Sequence, residues 1–296
     1  MRKQLIILVM FLGHQLVTAQ HPESLAELES AIDSVFSSHQ GDYAIAFKDL
    51  ASGEEIYINE KEEFHAASTM KTPVMIEIFR QVEEGNFRLQ DSILVINEFR
   101  SIVSGKPFSL DINQDSGDSL YNKIGSKVSI KDMMVDMIIH SSNFATNLLI
   151  EKVDAKKVTE TMRKLGAEDI MVLRGVEDIE AYEAGLSNTT TAYDLLLIFE
   201  KIAEGKAVGE TADRQMIEIL LQQKHNDIIP ALLPEEVKVA HKTGSITGVQ
   251  HDSGIVILPN GEKYVLVLLS KNLEEPEEGV KMLAEVSRMI YNYVEN

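Results

Sequence analysis

The chain has 296 residues, no cysteine and a formal net charge of −19 at neutral pH. The length permits one large domain with a packed core, and the missing cysteine excludes thiol nucleophiles, disulfides and thiolate metal sites. The acidic surface repels nucleic acid, so a bound anion needs a local positive pocket.

In chain order, the first segment carries Arg2 and Lys3 ahead of eight apolar residues, Leu5 to Leu12, and Val17 and Ala19 fit a small-residue cleavage pattern. This predicts a signal peptide over residues 1–19, cleaved after Ala19. The apolar run is far shorter than the ~20 residues that span a bilayer. No membrane span is expected after cleavage, and the mature protein is expected in the periplasm or secreted. It would keep 277 residues, with 26 basic against 47 acidic side chains and a net charge of −21. Protein recovered from the periplasm should begin at Gln20 on N-terminal sequencing. Finding Met1 there excludes cleavage, and retention in the cytosol excludes export.

Ser24 to Gln40 reads as a helix, with Leu25, Leu28, Ile32 and Phe36 on one face. DYAIAFKDL (42–50) and EIYINE (55–60) read as strands around an ASGE turn. From Thr69 to Glu84 apolar residues recur at helical spacing, and Gly85 stops them. Pro73 is tolerable because it lies near the helix start. Residues 100–126 read as long loops with at most a short helix. Helices are expected at about 129–140, 143–153, 154–165, 190–204 and 210–223. Strands follow at 236–244, 252–259 and 263–271, with Asn260-Gly261 as a hairpin signal. A last helix is expected from Val280 to Tyr293.

Strands therefore lie at both ends of the chain and helices in the middle. The economical arrangement is an α/β (α+β) domain over residues 20–296. Its antiparallel sheet is built from both chain ends with flanking helices, in a lobe of about 24–66 and 234–296. An all-helical lobe of about 67–233 is inserted between them.

Three short segments carry candidate chemistry. FHAASTMKTPVM (64–75) places Ser68 and Lys71 three residues apart at a helix start, so they share a face. Serine there is ordinarily a cap; it becomes a nucleophile when a base takes its proton. Lysine is such a base once burial or a nearby cation lowers its pKa. Lys242, in HKTGSITG (241–248), is a candidate cation, and Gly244 allows close approach of the backbone to a ligand. HSSNFATN (140–147) puts Ser141 and Asn143 on a connection between helices, where both residue types are common caps. A second S-x-N stands at Ser270 and Asn272.

S-x-x-K, S-x-N and K-T-G-S in this order and setting resemble the penicillin-recognising serine enzymes, the class A β-lactamases and related penicillin-binding proteins. LPEEVKVAHKTGS and ATNLLIEKV add likeness to the class A branch, and the resemblance spans about residues 25–295. It implies a β-lactamase/transpeptidase-like fold and hydrolysis of a β-lactam amide through an acyl-enzyme. Ser68 would be the nucleophile and Lys71 its proton partner. Ser141 would relay a proton to the leaving nitrogen. Asn143 would hold the substrate amide. Lys242 would polarise Ser141 and attract the substrate carboxylate, which Thr243 and Ser245 would bind. The N–H groups of Ser68 and Ser245 would form the oxyanion hole.

Some positions depart from the family pattern. Ser142 replaces the usual aspartate of S-D-N. Ile246 stands where a small residue is common, which would narrow the site. No arginine follows K-T-G, leaving His251 or Gln250 as candidates for the carboxylate site. In LRGVEDIEAYEAGLSNTTT (173–191), where the family has an Ω-shaped loop, Arg174 starts the loop but Asn188 stands near the place of its usual aspartate partner. Glu177 is the expected water-activating glutamate, with Glu180 and Glu183 as rivals.

No metal or cofactor is expected: the eight histidines form no H-x-H or H-x-x-x-H pair. The partner is expected to be a small-molecule β-lactam or a cell-wall peptide, and the protein a monomer. The alternatives are a D,D-peptidase-like or other amide hydrolase, and a penicillin-binding sensor or pseudoenzyme that is acylated without turnover.

Overall fold

The computed structural model describes residues 22–295, so the predicted signal segment lies outside the described residues. Strands β1 (Asp42–Asp49), β2 (Glu55–Ile58), β3 (Lys238–Ile246), β4 (Val249–Ile257) and β5 (Lys263–Lys271) form an antiparallel sheet in the order β2-β1-β5-β4-β3. Hairpins account for the pairings between strands adjacent in sequence. The β1–β5 pairing joins the two ends of the chain, with Ala44 opposite Leu269 and Ala46 opposite Val267.

The helices are α1 (Leu25–Ser37), α2 (Lys71–Glu83), α3 (Ile130–Ile139), α4 (Asn143–Val153), α5 (Ala155–Leu165), α6 (Ile179–Glu183), α7 (Ala192–Ala203), α8 (Glu210–Leu220) and α9 (Pro276–Val294). Both faces of the sheet are covered. Val265, Val267 and Leu269 of β5 join the core shared with α2, α3, α4 and α7. Tyr264, Leu266 and Leu268, pointing the other way, pack with Leu28 and Ile32 of α1 and Leu283, Val286 and Ile290 of α9. This is why KYVLVLLSK reads as a continuous apolar run rather than an alternation. α2 buries Val74, Met75, Ile76, Ile78 and Phe79, and residues 67–233 are not all-helical as expected, because Ser92–Leu94 pairs with Lys127–Ser129 and Phe99–Arg100 with Pro107–Phe108.

Side-chain caps set several helix starts. Ser24, Ser129 and Thr191 accept from the N–H of Glu27, Asp132 and Asp194 at 3.3, 3.1 and 3.1 Å. Each such cap contributes about 1 kcal/mol.

The element boundaries differ from expectation in instructive places. β4 starts at Val249 because Thr247 and Gly248 make the turn, with Gly248 at φ 70°. The Asn260-Gly261 hairpin is wider than two residues, because the N–H of Leu258 bonds the carbonyl of Glu262 at 2.9 Å. α9 starts at Pro276, and Glu277 and Glu278 lie in its first turn, where carboxylates suit the helix dipole. The 100–126 segment contains two single-turn 3-10 helices, Ile112–Gln114 and Tyr121–Lys123. α6 was not expected. No helix among the described residues is long and apolar enough to cross a membrane.

Candidate active site

Ser68 lies in a 3-10 turn, Ala67–Met70, that runs directly into α2 at Lys71. The Lys71 N–H closes the turn by donating to the Ser68 carbonyl, which sets the two residues on one side of the chain. The preceding Ala67 has φ 44°, a left-handed conformation that costs a non-glycine residue about 1–2 kcal/mol. His65 holds this turn: its Nδ1 accepts the N–H of Ala67 at 3.0 Å. Burial, then the Arg174 charge, pushes the His65 pKa below its ordinary value. The end of β3 presses against the same turn through Gly244. A Cβ there would stand 3.1 Å from Thr69 Cγ2 and 3.2 Å from both Ala67 Cβ and the Ser68 nitrogen. Glycine thus lets the K-T-G-S strand reach the serine backbone.

An open cavity of about 450 Å³ lies over this junction. Ser68, Ser141, Asn143, Glu177 and Ser245 all line it, and so does Ile246. Lys71 and Lys242 are fully buried behind Ser141. The Lys71 ammonium donates to the Ser141 carbonyl at 2.7 Å, to Asn143 Oδ1 at 3.0 Å and to Ser141 Oγ at 3.2 Å. Lys242 donates to Ser141 Oγ at 3.1 Å and to the Thr243 carbonyl at 2.9 Å. Thr243 is half-buried and does not line the cavity.

Burial pulls the Lys71 pKa down to about 7, against the opposing pull of Asp115, Glu177 and Asp136. Burial, then the positive charge of Lys71, pushes Lys242 well below the ordinary lysine value, with Asp252 opposing. Of the two causes expected for a lowered Lys71, burial or a nearby cation, burial is the larger. Desolvation is the first cause for both lysines, and their like charges repel each other.

The 173–191 loop separates its three glutamates. Gly175 and Val176 lie against Asn147 of α4. The Asn147 side chain accepts the Val176 N–H at 2.7 Å and donates to the Val176 carbonyl at 2.9 Å. A Cβ at Gly175 would collide with that side chain. Glu177, at φ 63°, then projects into the cavity, where its Oε1 accepts from Asn143 Nδ2 at 3.1 Å. Asp178 caps α6 by accepting the Ala181 N–H at 3.2 Å. On that helix Glu180 turns to Ser104 and Lys106, and Glu183 is exposed. Neither rival lines the cavity.

Arg174 and Asn188 do meet, but not as an ion-pair substitute. Asn188 clasps the Arg174 backbone, accepting its N–H at 3.3 Å and donating to its carbonyl at 3.0 Å. The guanidinium binds the carbonyls of Leu186 and Gly175 at 2.8 and 2.9 Å.

Other sequence candidates fall away. His251 is fully buried, and its Nε2 meets the His65 carbonyl at 2.9 Å. Its Nδ1 lies 3.0 Å from the Gln250 carbonyl and 3.1 Å from the Ser270 N–H, so backbone groups surround both ring nitrogens. Burial pushes its pKa down to about 4, so it offers a substrate carboxylate no charge. Gln250 instead donates to Ser245 Oγ at 3.0 Å. The second S-x-N is structural: Ser270 Oγ donates to the Gln250 carbonyl at 2.6 Å, and Asn272 binds Asp42.

Sequence reasoning missed His65, Asp115 and Asn147. One signal pointing at the site was backbone strain. Ala67, Ser141 and Glu177 all have positive φ and all line the cavity. Among the described residues, no group of three or more His, Asp or Glu side chains is arranged to hold a metal ion.

A family model, described as the β-lactamase enzyme family, matches residues 27–294. A β-lactamase of Bacteroides uniformis is 23% identical, covering 98% of this chain and 99% of that protein. The crystal structure of a β-lactamase from Sphaerobacter thermophilus superposes with a TM-score of 0.77 at 26% identity, covering 89% of this chain and 96% of that one. A mutant of PBP-A in an acyl-enzyme complex with penicillin G also superposes with a TM-score of 0.77, at 27% identity, covering 93% and 98%. The chain belongs to the β-lactamase enzyme family. Its fold is the α/β arrangement of β-lactamases and transpeptidases.

Proposed function

We infer that the protein is a class A-type serine β-lactamase working through a Ser68 acyl-enzyme. The observation that carries this reading is one connected set of contacts. Lys71 bonds Ser141 and Asn143, Asn143 bonds Glu177, and Ser68, Ser141, Asn143 and Glu177 share one cavity.

In this mechanism Ser68 Oγ attacks the lactam carbonyl carbon as Lys71 accepts its proton. The N–H groups of Ser68 and Ser245 stabilise the developing oxyanion. Ser141 Oγ–H gives its proton to the leaving ring nitrogen, and the two lysines behind it replace that proton. Glu177 then deprotonates a water that attacks the ester and frees Ser68. Thr243 and Ser245 bind the substrate carboxylate, and Asn143 the side-chain amide. Export through the N-terminal segment would bring the enzyme to its substrate.

Hydrolysis of a chromogenic cephalosporin by the purified mature chain tests this reading. Colour that continues over many equivalents supports it. The likeness to PBP-A in its acyl-enzyme complex favours a second reading, a penicillin-binding sensor. That reading predicts a colour burst ending at one equivalent. Cleavage of D-Ala-D-Ala peptides without cephalosporin turnover would point to a peptidase instead.

Acylation should depend on pH in a defined direction. Lys71 cannot accept a proton while it is an ammonium, and its lowered pKa is about 7. The second-order acylation rate should therefore rise with pH through about 7 and level off above it. A rate that falls over that interval, in stopped-flow measurements, would remove Lys71 as the base.

A further inference from the structure

α4 begins at Asn143, the residue that links Lys71 to Glu177. Ser142 caps this helix only at its third N–H, accepting from Ala145 at 3.2 Å. The first two N–H groups, those of Asn143 and Phe144, go elsewhere. Each donates at 2.8 Å to Asp115, whose Oδ1 takes Asn143 and whose Oδ2 takes Phe144. Asp115 comes from the 100–126 segment, 28 residues before Asn143.

The Asp115 carboxylate is well satisfied where it sits. Oδ1 also accepts the Gly117 N–H at 3.1 Å, and Oδ2 the Tyr121 hydroxyl at 3.0 Å. Tyr121 in turn packs on Phe144, ring centroids 4.8 Å apart. The loop reaches this position because residue 117 is glycine and residue 142 is small. A Cβ on Gly117 would stand 2.6 Å from Ser142 Cβ. Asp115, Gly117 and Ser142 thus form a matched set, in which a carboxylate from a separate loop occupies the start of the S-x-N helix.

We propose that Asp115 is a positioning residue of the active site, holding the first turn of α4 so that Asn143 spans Lys71 and Glu177. Two physical effects follow from one group. A carboxylate bridging two N–H groups at a helix start fixes backbone position with charge-assisted hydrogen bonds. Its negative charge also favours the Lys71 ammonium. The charged groups facing Lys71 are Asp115, Glu177 and Asp136, all of which favour the ammonium, and Lys242, whose own pKa the Lys71 charge lowers. The proposal rests on the β-lactamase reading only for its kinetic consequence.

The test is Asp115→Asn, which keeps shape and removes charge. Lysine is labelled with ¹³C at Cε, Lys71 is assigned by Lys71→Arg, and its resonance is followed across neutral pH. In the unchanged protein the midpoint should lie near 7. In the variant it should fall by roughly half to one pH unit, the direction expected when an opposite charge is removed. The acid limb of penicillin acylation should move down with it, and the plateau rate should drop as Asn143 loses its placement. A purely structural role would lower the melting temperature and leave the midpoint where it was; that result overturns the proposal.

Should Asp115→Asn not fold, the unchanged protein decides. The Gly117 and Phe144 amide protons, bound to a carboxylate facing Lys71, should then shift at the Lys71 midpoint. Amide protons that do not move there overturn the proposal. If the unchanged protein is not acylated by penicillin at all, the β-lactamase reading fails, and the lysine titration still judges Asp115.

Discussion

Replacing Ser68 by alanine should abolish covalent capture of penicillin, whereas replacing Ser141 by alanine should slow capture and leave the adduct intact. The contrast matters because the Lys71 hydrogen bonds reach Ser141 and Asn143. On contact alone, Ser141 is the better-activated hydroxyl. Three features point to Ser68 instead. It is half-buried at the cavity, while the Ser141 side chain receives donors from both Lys71 and Lys242 at 3.2 and 3.1 Å. An oxygen engaged by two lysines is placed to pass protons rather than to attack carbon. The Ser68 backbone nitrogen also lies beside the end of β3 at Gly244, next to Ser245, whose N–H is the expected second oxyanion donor. Finally, Lys71 follows Ser68 by three residues where the 3-10 turn runs into α2, the spacing that puts the two side chains on one face. Intact-mass spectrometry followed by peptide mapping measures the outcome. Penicillin mass on Ser68→Ala, or a mapped adduct on Ser141, would mean that the two serines exchange roles. Ser141→Ala should slow acylation by about 10²–10⁴, the usual contribution of a positioned proton donor.

Which features were legible from the sequence follows from how far apart the interacting residues lie. Ser68 and Lys71 stand three apart, and a local spacing survives any error in the tertiary arrangement. The sheet was equally readable. β5 is apolar on both faces, and both chain ends carry strand patterns with turn residues between them. The 3-10 form of the Ser68 turn was not readable, because it depends on β3 pressing on it through Gly244 and on His65 holding Ala67. Asp115 was not readable either. Its segment has no period, and its role depends on Gly117 meeting Ser142 across the fold. For Lys71 the sequence left two causes of a lowered pKa open, burial and a nearby cation. Sequence identifies a second lysine that can approach, whereas burial of the ammonium is a property of the assembled core. Among the three glutamates of the 173–191 loop, spacing from Arg174 favoured Glu177 but left Glu180 and Glu183 as rivals. α6 ranks them, because a short helix starting just after Glu177 turns Glu180 and Glu183 away from the cavity.

The substitution Glu177→Gln should convert the enzyme into a stable penicillin adduct. An ester on Ser68 hydrolyses quickly only when a water beside it is deprotonated as it attacks. Glu177 is placed for this. It lines the same cavity as Ser68, and Asn147 grips the adjoining Val176 backbone through two hydrogen bonds of 2.7 and 2.9 Å. Glutamine leaves this support unchanged. Its side-chain oxygen can still accept from Asn143, as Glu177 Oε1 does at 3.1 Å, and the φ of 63° is no harder for glutamine than for glutamate. What disappears is the basic carboxylate. Acylation should persist, because Glu177 is one of the groups favouring the Lys71 ammonium, and its loss makes a neutral Lys71 easier to form. Deacylation should slow by about 10²–10⁴, the range for removal of a general base. Time-resolved intact-mass spectrometry after mixing with penicillin separates the two steps: adduct should appear at near-native speed and then persist. Slowing of less than about tenfold would reject Glu177 as the base. The same measurement on Glu180→Gln and Glu183→Gln should show native turnover, since neither side chain lines the cavity. If the unchanged protein already accumulates as a long-lived adduct, the carboxylate in the cavity is not activating water, and the sensor reading replaces that of a β-lactamase.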